Sequence, residues 1–238
     1  MNEMFIEYKH NNDLLEAYCA YPDSELSSSF PLVLVSHAWA GRDDFAMNVA
    51  RDLANKGYVG FALDLYGKNK IGKTTEEKSA LMQPFMQNRK FLHERMLLNI
   101  DEAKKLDFVD ESKTAAIGFC FGGLCVLDMA RIGVDLNGVI SFHGLLSAPE
   151  NVHYLDIMSK MLVLHGSDDP MVSFQDVENF KKEMDEHEAD WQMNIYGNTK
   201  HGFSVPEAND QNLGIIYNSQ TAKRAWKESF NFLDELFL

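Results

Sequence analysis

The sequence predicts an α/β fold, with a mostly parallel central sheet flanked by helices and an antiparallel hairpin at the N-terminus. Three observations predict it. Short apolar runs such as Pro31-Leu32-Val33-Leu34-Val35 lack polar alternation, as expected of strands covered on both faces. Longer helix-period segments separate these runs, the arrangement that builds right-handed crossover units. No repeat, low-complexity tract or linker divides the 238 residues, so the chain reads as a single domain, 1–238.

Each element has its own signal. Met4 to Lys9 and Leu14 to Tyr21 flank His10-Asn11-Asn12-Asp13 and form the hairpin. Pro22 to Pro31 is serine-rich and reads as an exposed loop before the first apolar strand. Asp43 or Asp44 caps a helix running to Lys56, and Gly57 ends it. Tyr58 to Leu63 is the next strand. Thr74 to Asn88 and Lys90 to Leu106 read as helices, the first interrupted by Pro84. Thr114 to Ile117 is a strand, Leu124 to Arg131 a helix, and Gly138 to Phe142 and Met161 to His165 further strands. Ser173 caps a helix to His187, Trp191 to Tyr196 alternates as a strand, and Gln220 to Phe237 closes the chain as an amphipathic helix.

Chemistry concentrates at strand ends. Gly118-Phe119-Cys120-Phe121-Gly122-Gly123 joins a strand to a helix, and G-x-C-x-G in that setting is the thiol version of a nucleophile elbow. The glycines are needed because the central residue takes a strained backbone conformation that bulky neighbours would crowd. The elbow sets the sulfur at a helix N-terminus, where N–H groups favour a thiolate. Alone, the pattern also fits a tight turn around a buried thiol. An α/β-hydrolase presents nucleophile, acid and histidine in that order. Gly166-Ser167-Asp168-Asp169-Pro170-Met171-Val172 follows a strand, and Asp169 falls at the acid position. Asp168 is expected to order the turn by accepting backbone N–H bonds. His201, on the loop after Tyr196, takes the place of the general base. The candidate catalytic residues are therefore Cys120, Asp169 and His201.

At these residues the sequence resembles the dienelactone hydrolase family, whose nucleophile is a cysteine on the α/β-hydrolase fold. Asp64-Leu65-Tyr66-Gly67, the Cys120 elbow, Asp168-Asp169-Pro170 and His201-Gly202-Phe203 carry the resemblance, which spans nearly the whole chain. It implies cleavage of a small carboxylic ester or enol-lactone through an acyl-cysteine. Two positions depart from the pattern. The family's glutamate after the first core strand is replaced by His37, and no arginine follows His201, where Phe203-Ser204-Val205-Pro206-Glu207 adds an acid. The resemblance thus implies the reaction type more firmly than a dicarboxylate lactone substrate.

The oxyanion needs two donors: the backbone N–H of Phe121 and, by fold logic, that of Ala38 or Trp39. His37, Trp39, Tyr66 and Phe203 are candidate substrate-pocket residues, each beyond a strand end. His143 and His165 read as satisfied core or loop histidines, and Arg89 and Arg95 as surface charges of a helix. The chemistry requires no cofactor. His93-Glu94-Arg95 lacks the second histidine of a zinc motif, so no metal site is expected. Two other readings stay open. The same triad would serve a thioesterase or peptidase-like hydrolase. A vestigial triad would leave a small-molecule-binding or redox-sensing homologue.

Composition narrows the class. With 45% hydrophobic residues there is ample core, and no uncharged apolar run approaches the ~18 residues of a membrane span. A formal net charge of −14 excludes nucleic acid and anionic membranes as expected partners. Cys19, Cys120 and Cys125 form neither a disulfide framework nor a metal spacing, with Cys125 a packed small residue. Met1 to Phe5 carries no basic-then-apolar leader, so a reducing cytoplasmic location is expected.

Overall fold

Strands β1 (Asn2–His10) and β2 (Asp13–Tyr21) pair antiparallel from Asn2 with Tyr21 to His10 with Asp13. Asn11 makes the turn with a φ of 55°, a conformation asparagine tolerates better than most residues. The computed structural model describes residues 1–23, 29–149 and 156–238. The expected loop from Pro22 to Pro31 therefore lies partly outside the described residues, at 24–28.

The described residues cluster into two units, Met1–Ala116 and Ile117–Leu238. In the first, the strand order is β1-β2-β4-β3, with β3 (Phe30–Ser36) parallel to β4 (Val59–Ala62) and β2 antiparallel to β4. Helix α1 (Asp44–Asn55) joins β3 to β4. Asp43, not Asp44, is its N-cap, accepting the Ala46 N–H at 3.2 Å. Its buried stripe is Ala46, Val49, Ala50, Leu53 and Ala54, at helical spacing. Helix α2 (Thr75–Gln87) opens on a capping box between Thr74 and Glu77 and runs unbroken through Pro84. Pro84 removes one backbone hydrogen bond, and the helix continues past it to Gln87, so the expected interruption does not occur. Asn88 then caps α3 (Arg89–Lys104), accepting from the Phe91 N–H at 3.0 Å.

Arg95 of α3 is not the surface charge that its helical setting suggests. It is 1% exposed and donates to Asp13 Oδ2 at 2.7 Å, His10 Nδ1 at 2.9 Å and the Leu65 carbonyl at 3.0 Å. Beside it Asp64 accepts three backbone N–H groups, from Glu16 (2.9 Å), Tyr66 (3.1 Å) and Gly67 (2.8 Å). These bonds shape the Asp64-Leu65-Tyr66-Gly67 turn. Asp64→Ala orphans three donors at once, and each costs about 1–3 kcal/mol when left unmade. We expect a loss of about 3 kcal/mol in urea unfolding. A loss below about 1 kcal/mol would show that the turn keeps its shape without the carboxylate.

Strand β5 (Val109–Phe119) begins in the first unit and ends in the second. It starts five residues before the expected Thr114, because Asp110 to Lys113 are polar, none of them is buried, and they carry no apolar signal. In the second unit β6 (Gly138–Phe142), β7 (Lys160–Gly166) and β8 (Trp191–Tyr196) pair parallel in that order. Helices α4 (Phe121–Arg131) and α5 (Phe174–Glu186) connect strands, and α6 (Ser219–Phe237) packs its apolar face on β6 and β7. Ser173 and Asp176 form the capping box of α5. All eleven residues of α4 are buried, so that helix is central rather than amphipathic. A two-residue pair, β9 (Asn209–Asp210) with β10 (Ile215–Ile216), was not expected. No helix among the described residues is long and apolar enough to cross a membrane.

Candidate active site

Cys120 stands between β5 and α4 with φ 53° and ψ −115°. A side chain rarely adopts this backbone, and holding it costs on the order of 1–3 kcal/mol. The surroundings over-determine it. Its N–H donates to the Phe142 carbonyl at 3.0 Å, and its own carbonyl accepts from Gly123 and Leu124 at 3.0 and 3.2 Å. A Cβ at position 118 would lie 2.0 Å from the Gly122 carbonyl oxygen, and one at 123 would lie 2.7 Å from the Gly144 Cα. Those two glycines are therefore required by close approach. Cys19 and Cys125 are fully buried, whereas Cys120 is partly exposed. Burial pushes the Cys19 thiol up to about 12, so it stays protonated. Phe121 directly follows Cys120 and is the first residue of α4, which places its N–H at the helix N-terminus.

Asp169 and His201 meet in the same unit. His201 Nδ1 lies 2.8 Å from Asp169 Oδ2, with both side chains almost wholly buried. The other carboxylate oxygen accepts the Met171 N–H at 2.8 Å, fixing the acid's orientation. Asp168 has a different role from the one expected. It points outward and accepts the Ser167 hydroxyl at 2.7 Å, while Asp169 itself orders the turn through Met171. The loop bearing His201 is held by the Ile216 N–H, which donates to the His201 carbonyl at 2.8 Å.

His201 is electrostatically poised. Burial alone would drive its proton off, but the negative charge of a Cys120 thiolate and the Asp169 hydrogen bond outweigh it and raise its pKa to about 10. Asp169 thus selects which ring nitrogen carries the fixed proton and leaves Nε2 for exchange.

Two further histidines surround this pair. His143 directly follows β6 at φ 38°, with its N–H on the Leu164 carbonyl at 2.8 Å. Its Nε2 lies 2.8 Å from Ser204 Oγ, and its ring meets that of His201 at 5.0 Å and 65°. Its Nδ1 is buried without a partner, as is that of His165. Neither is therefore the fully satisfied histidine that was expected, and an unmade buried bond costs about 1–3 kcal/mol. Burial, and for His143 next the charge of His201, keeps both pKa values below the ordinary histidine range.

The candidate pocket residues fall in two places. Phe203 is fully buried against Phe142, His143 and Tyr196, which leaves it no open surface. In the first unit His37, Ala38, Trp39 and Tyr66 form one group. The Tyr66 hydroxyl donates to the Trp39 carbonyl at 3.1 Å, and its ring lies edge-on to His37 at 4.7 Å. His37 Nδ1 donates to the Ala38 carbonyl at 2.6 Å, and Nε2 accepts from the Leu65 N–H at 3.4 Å. Burial pushes His37 down to about 4, so it is neutral at ordinary pH. Both ring nitrogens are thereby used within the protein. Ala38 and Trp39 keep partial exposure.

A family model described as the dienelactone hydrolase family matches residues 15–237. The chain belongs to the dienelactone hydrolase family. A dienelactone hydrolase-like promiscuous phosphotriesterase, P91, from metagenomic libraries superposes with a TM-score of 0.92 at 30% identity, covering 100% of this chain and 99% of its own. An uncharacterized Caenorhabditis elegans protein, K02A2.1, is 37% identical over 150 residues, 61% of this chain and 94% of the relative. A Bradyrhizobium protein named as a probable 2-oxo-3-(5-oxofuran-2-ylidene)propanoate lactonase is 25% identical over 243 residues, 96% of this chain and 92% of its own. The fold is the α/β-hydrolase fold, and this dienelactone hydrolase family member is a carboxylic ester hydrolase.

His37, expected from the resemblance to replace a family glutamate, bonds only within its own segment and to Leu65 among the hydrogen bonds described. The Leu65 bond joins the segment after β3 to the turn after β4. What sequence reasoning missed lies in the second unit: the contact of His143 with His201 and the bond from His143 to Ser204, 61 residues apart in the chain. No local pattern could have signalled either.

Proposed function

We propose that this family member hydrolyses small carboxylic esters or lactones through Cys120, His201 and Asp169 by way of an acyl-cysteine. The observation that carries the reading is the buried 2.8 Å bond between Asp169 and His201, in the same unit as a strained, partly exposed cysteine. The thiolate attacks the carbonyl carbon, forming an S–C bond as charge moves onto the oxygen. The Phe121 N–H stabilises that charge, and fold logic supports the N–H of Ala38, with Trp39 the alternative, as the second donor. Collapse breaks the C–O bond, and the His201 imidazolium gives its proton to the leaving alkoxide.

Acylation then changes His201. The thiolate charge that held its proton has gone, and burial now favours the neutral ring. His201 takes a proton from water as the hydroxide forms a bond to the thioester carbonyl. Cleavage of the S–C bond releases the acid and restores the thiolate–imidazolium pair. No cofactor enters any step. In this reading Trp39 lines the substrate region with Tyr66 buried behind it, His37 supports the loop carrying the second donor, and residues 1–238 act as one domain. A reducing cytoplasm suits the thiolate, and a net charge of −14 suits a small-molecule substrate rather than nucleic acid.

Acid quenching during turnover of a p-nitrophenyl ester tests this. The expected result is a mass increase of one acyl group, mapped to the peptide containing Cys120. Full turnover with the acyl group on another residue, or on none, would reject the acyl-cysteine.

A further inference from the structure

His143 breaks three local rules at once, next to the proposed general base. It is a non-glycine residue at φ 38°, its Nδ1 is buried with no partner, and it is 1% exposed despite being polar. Such conflicts concentrate where function holds a residue against its own preference. The contacts show what that function is. Nε2 is 2.8 Å from Ser204 Oγ, and Ser204 lies three residues after His201 on the same loop. The ring edge lies against His201 at 5.0 Å and against Phe203 at 5.2 Å. Asp169 fixes His201 by hydrogen bonding, whereas His143 borders it by ring contact and ties down the loop that carries it.

We propose that His143 is a positioning residue for His201, acting through the Nε2–Ser204 bond and the edge contact between the two rings. The inference rests on the Cys120–His201–Asp169 reading. A neutral imidazole suits the place better than a cation, since it puts no charge beside the imidazolium. The His143–Ser204 pair also has the spacing of a nucleophile with its base. It is not a second reactive centre, because Nδ1 has no carboxylate to orient it and Ser204 is only 3% exposed.

The experiment uses His143→Phe, Ser204→Ala and the double variant, with Cys120→Ala in parallel. His143→Phe keeps the ring packing and removes Nε2; Ser204→Ala leaves the histidine in place should the first variant not fold. Small displacements of a proton-transfer group reduce turnover strongly, so each single variant should lower kcat about ten-fold with KM little changed. The double variant should lose no more than the weaker single, since both changes break one bond. The proton NMR signal of the His201–Asp169 hydrogen bond should broaden in both singles. Wild-type kcat in the singles, multiplicative losses in the double, or an unchanged signal with a lower kcat would overturn the proposal. If Cys120→Ala keeps full turnover, the triad reading itself fails. If Cys120→Ala is dead and the singles match wild type, only the role of His143 falls.

Discussion

Cys120→Ala is expected to leave a folded protein whose ester turnover falls by a factor on the order of 10⁴ or more. The size follows from what the sulfur does. In the proposed mechanism it forms the covalent bond, and no water stands in for a nucleophile held at the elbow. Residual hydrolysis comes from the oxyanion donors and binding alone, which sustain only a small remnant of the rate. Stability should change little. The side chain is partly exposed, and alanine fills most of its volume. The strained backbone at φ 53° is imposed by the Phe142, Gly123 and Leu124 bonds, none of which uses the sulfur. The variant also loses the thiolate charge that raises His201, so its imidazole should titrate at lower pH than in the wild type. Steady-state kinetics, thermal melting and imidazole NMR titration check the three parts separately. Turnover within ten-fold of wild type would remove Cys120 from the mechanism.

Much of this site was legible because its signals are local and ordered. Glycines 118 and 123 are dictated by backbone approach within a few residues, and Asp169 and His201 each follow a strand at the expected place in the chain. The core strands were legible for the same reason, since burial on both faces leaves unbroken apolar runs, as in β3, β6 and β7. The failures share the opposite property. The first residues of β5 are strand through pairing rather than through apolarity, and β9 with β10 is too short to show a period. Arg95 was read as a surface charge because its partners, Asp13 and His10, lie more than 80 residues away. His143 with Ser204 is the same case at the site itself. The two bonds of His37, to the Ala38 carbonyl and from the Leu65 N–H, left no mark in the sequence.

Asp169→Asn should act through His201 and reveal itself in pH dependence as well as in rate. The asparagine fills the same buried space, so the fold should survive, but its amide can donate to Nδ1 and so favour the wrong imidazole tautomer. A loss of kcat on the order of 10³–10⁴ is expected near neutral pH. The direction of the pH effect follows from what holds the proton. In the wild type His201 stays protonated until pH rises through about 10, because the thiolate and Asp169 together overcome burial. In the proposed mechanism the imidazolium that protonates the leaving group is therefore lost as pH rises through that value. Removing the carboxylate takes away its hydrogen bond and its charge, leaving burial opposed by the thiolate alone. The alkaline limb of kcat/KM should then move to lower pH. A pH–rate profile of the variant whose alkaline limb stays in place, or moves upward, would mean that Asp169 does not set the charge of His201.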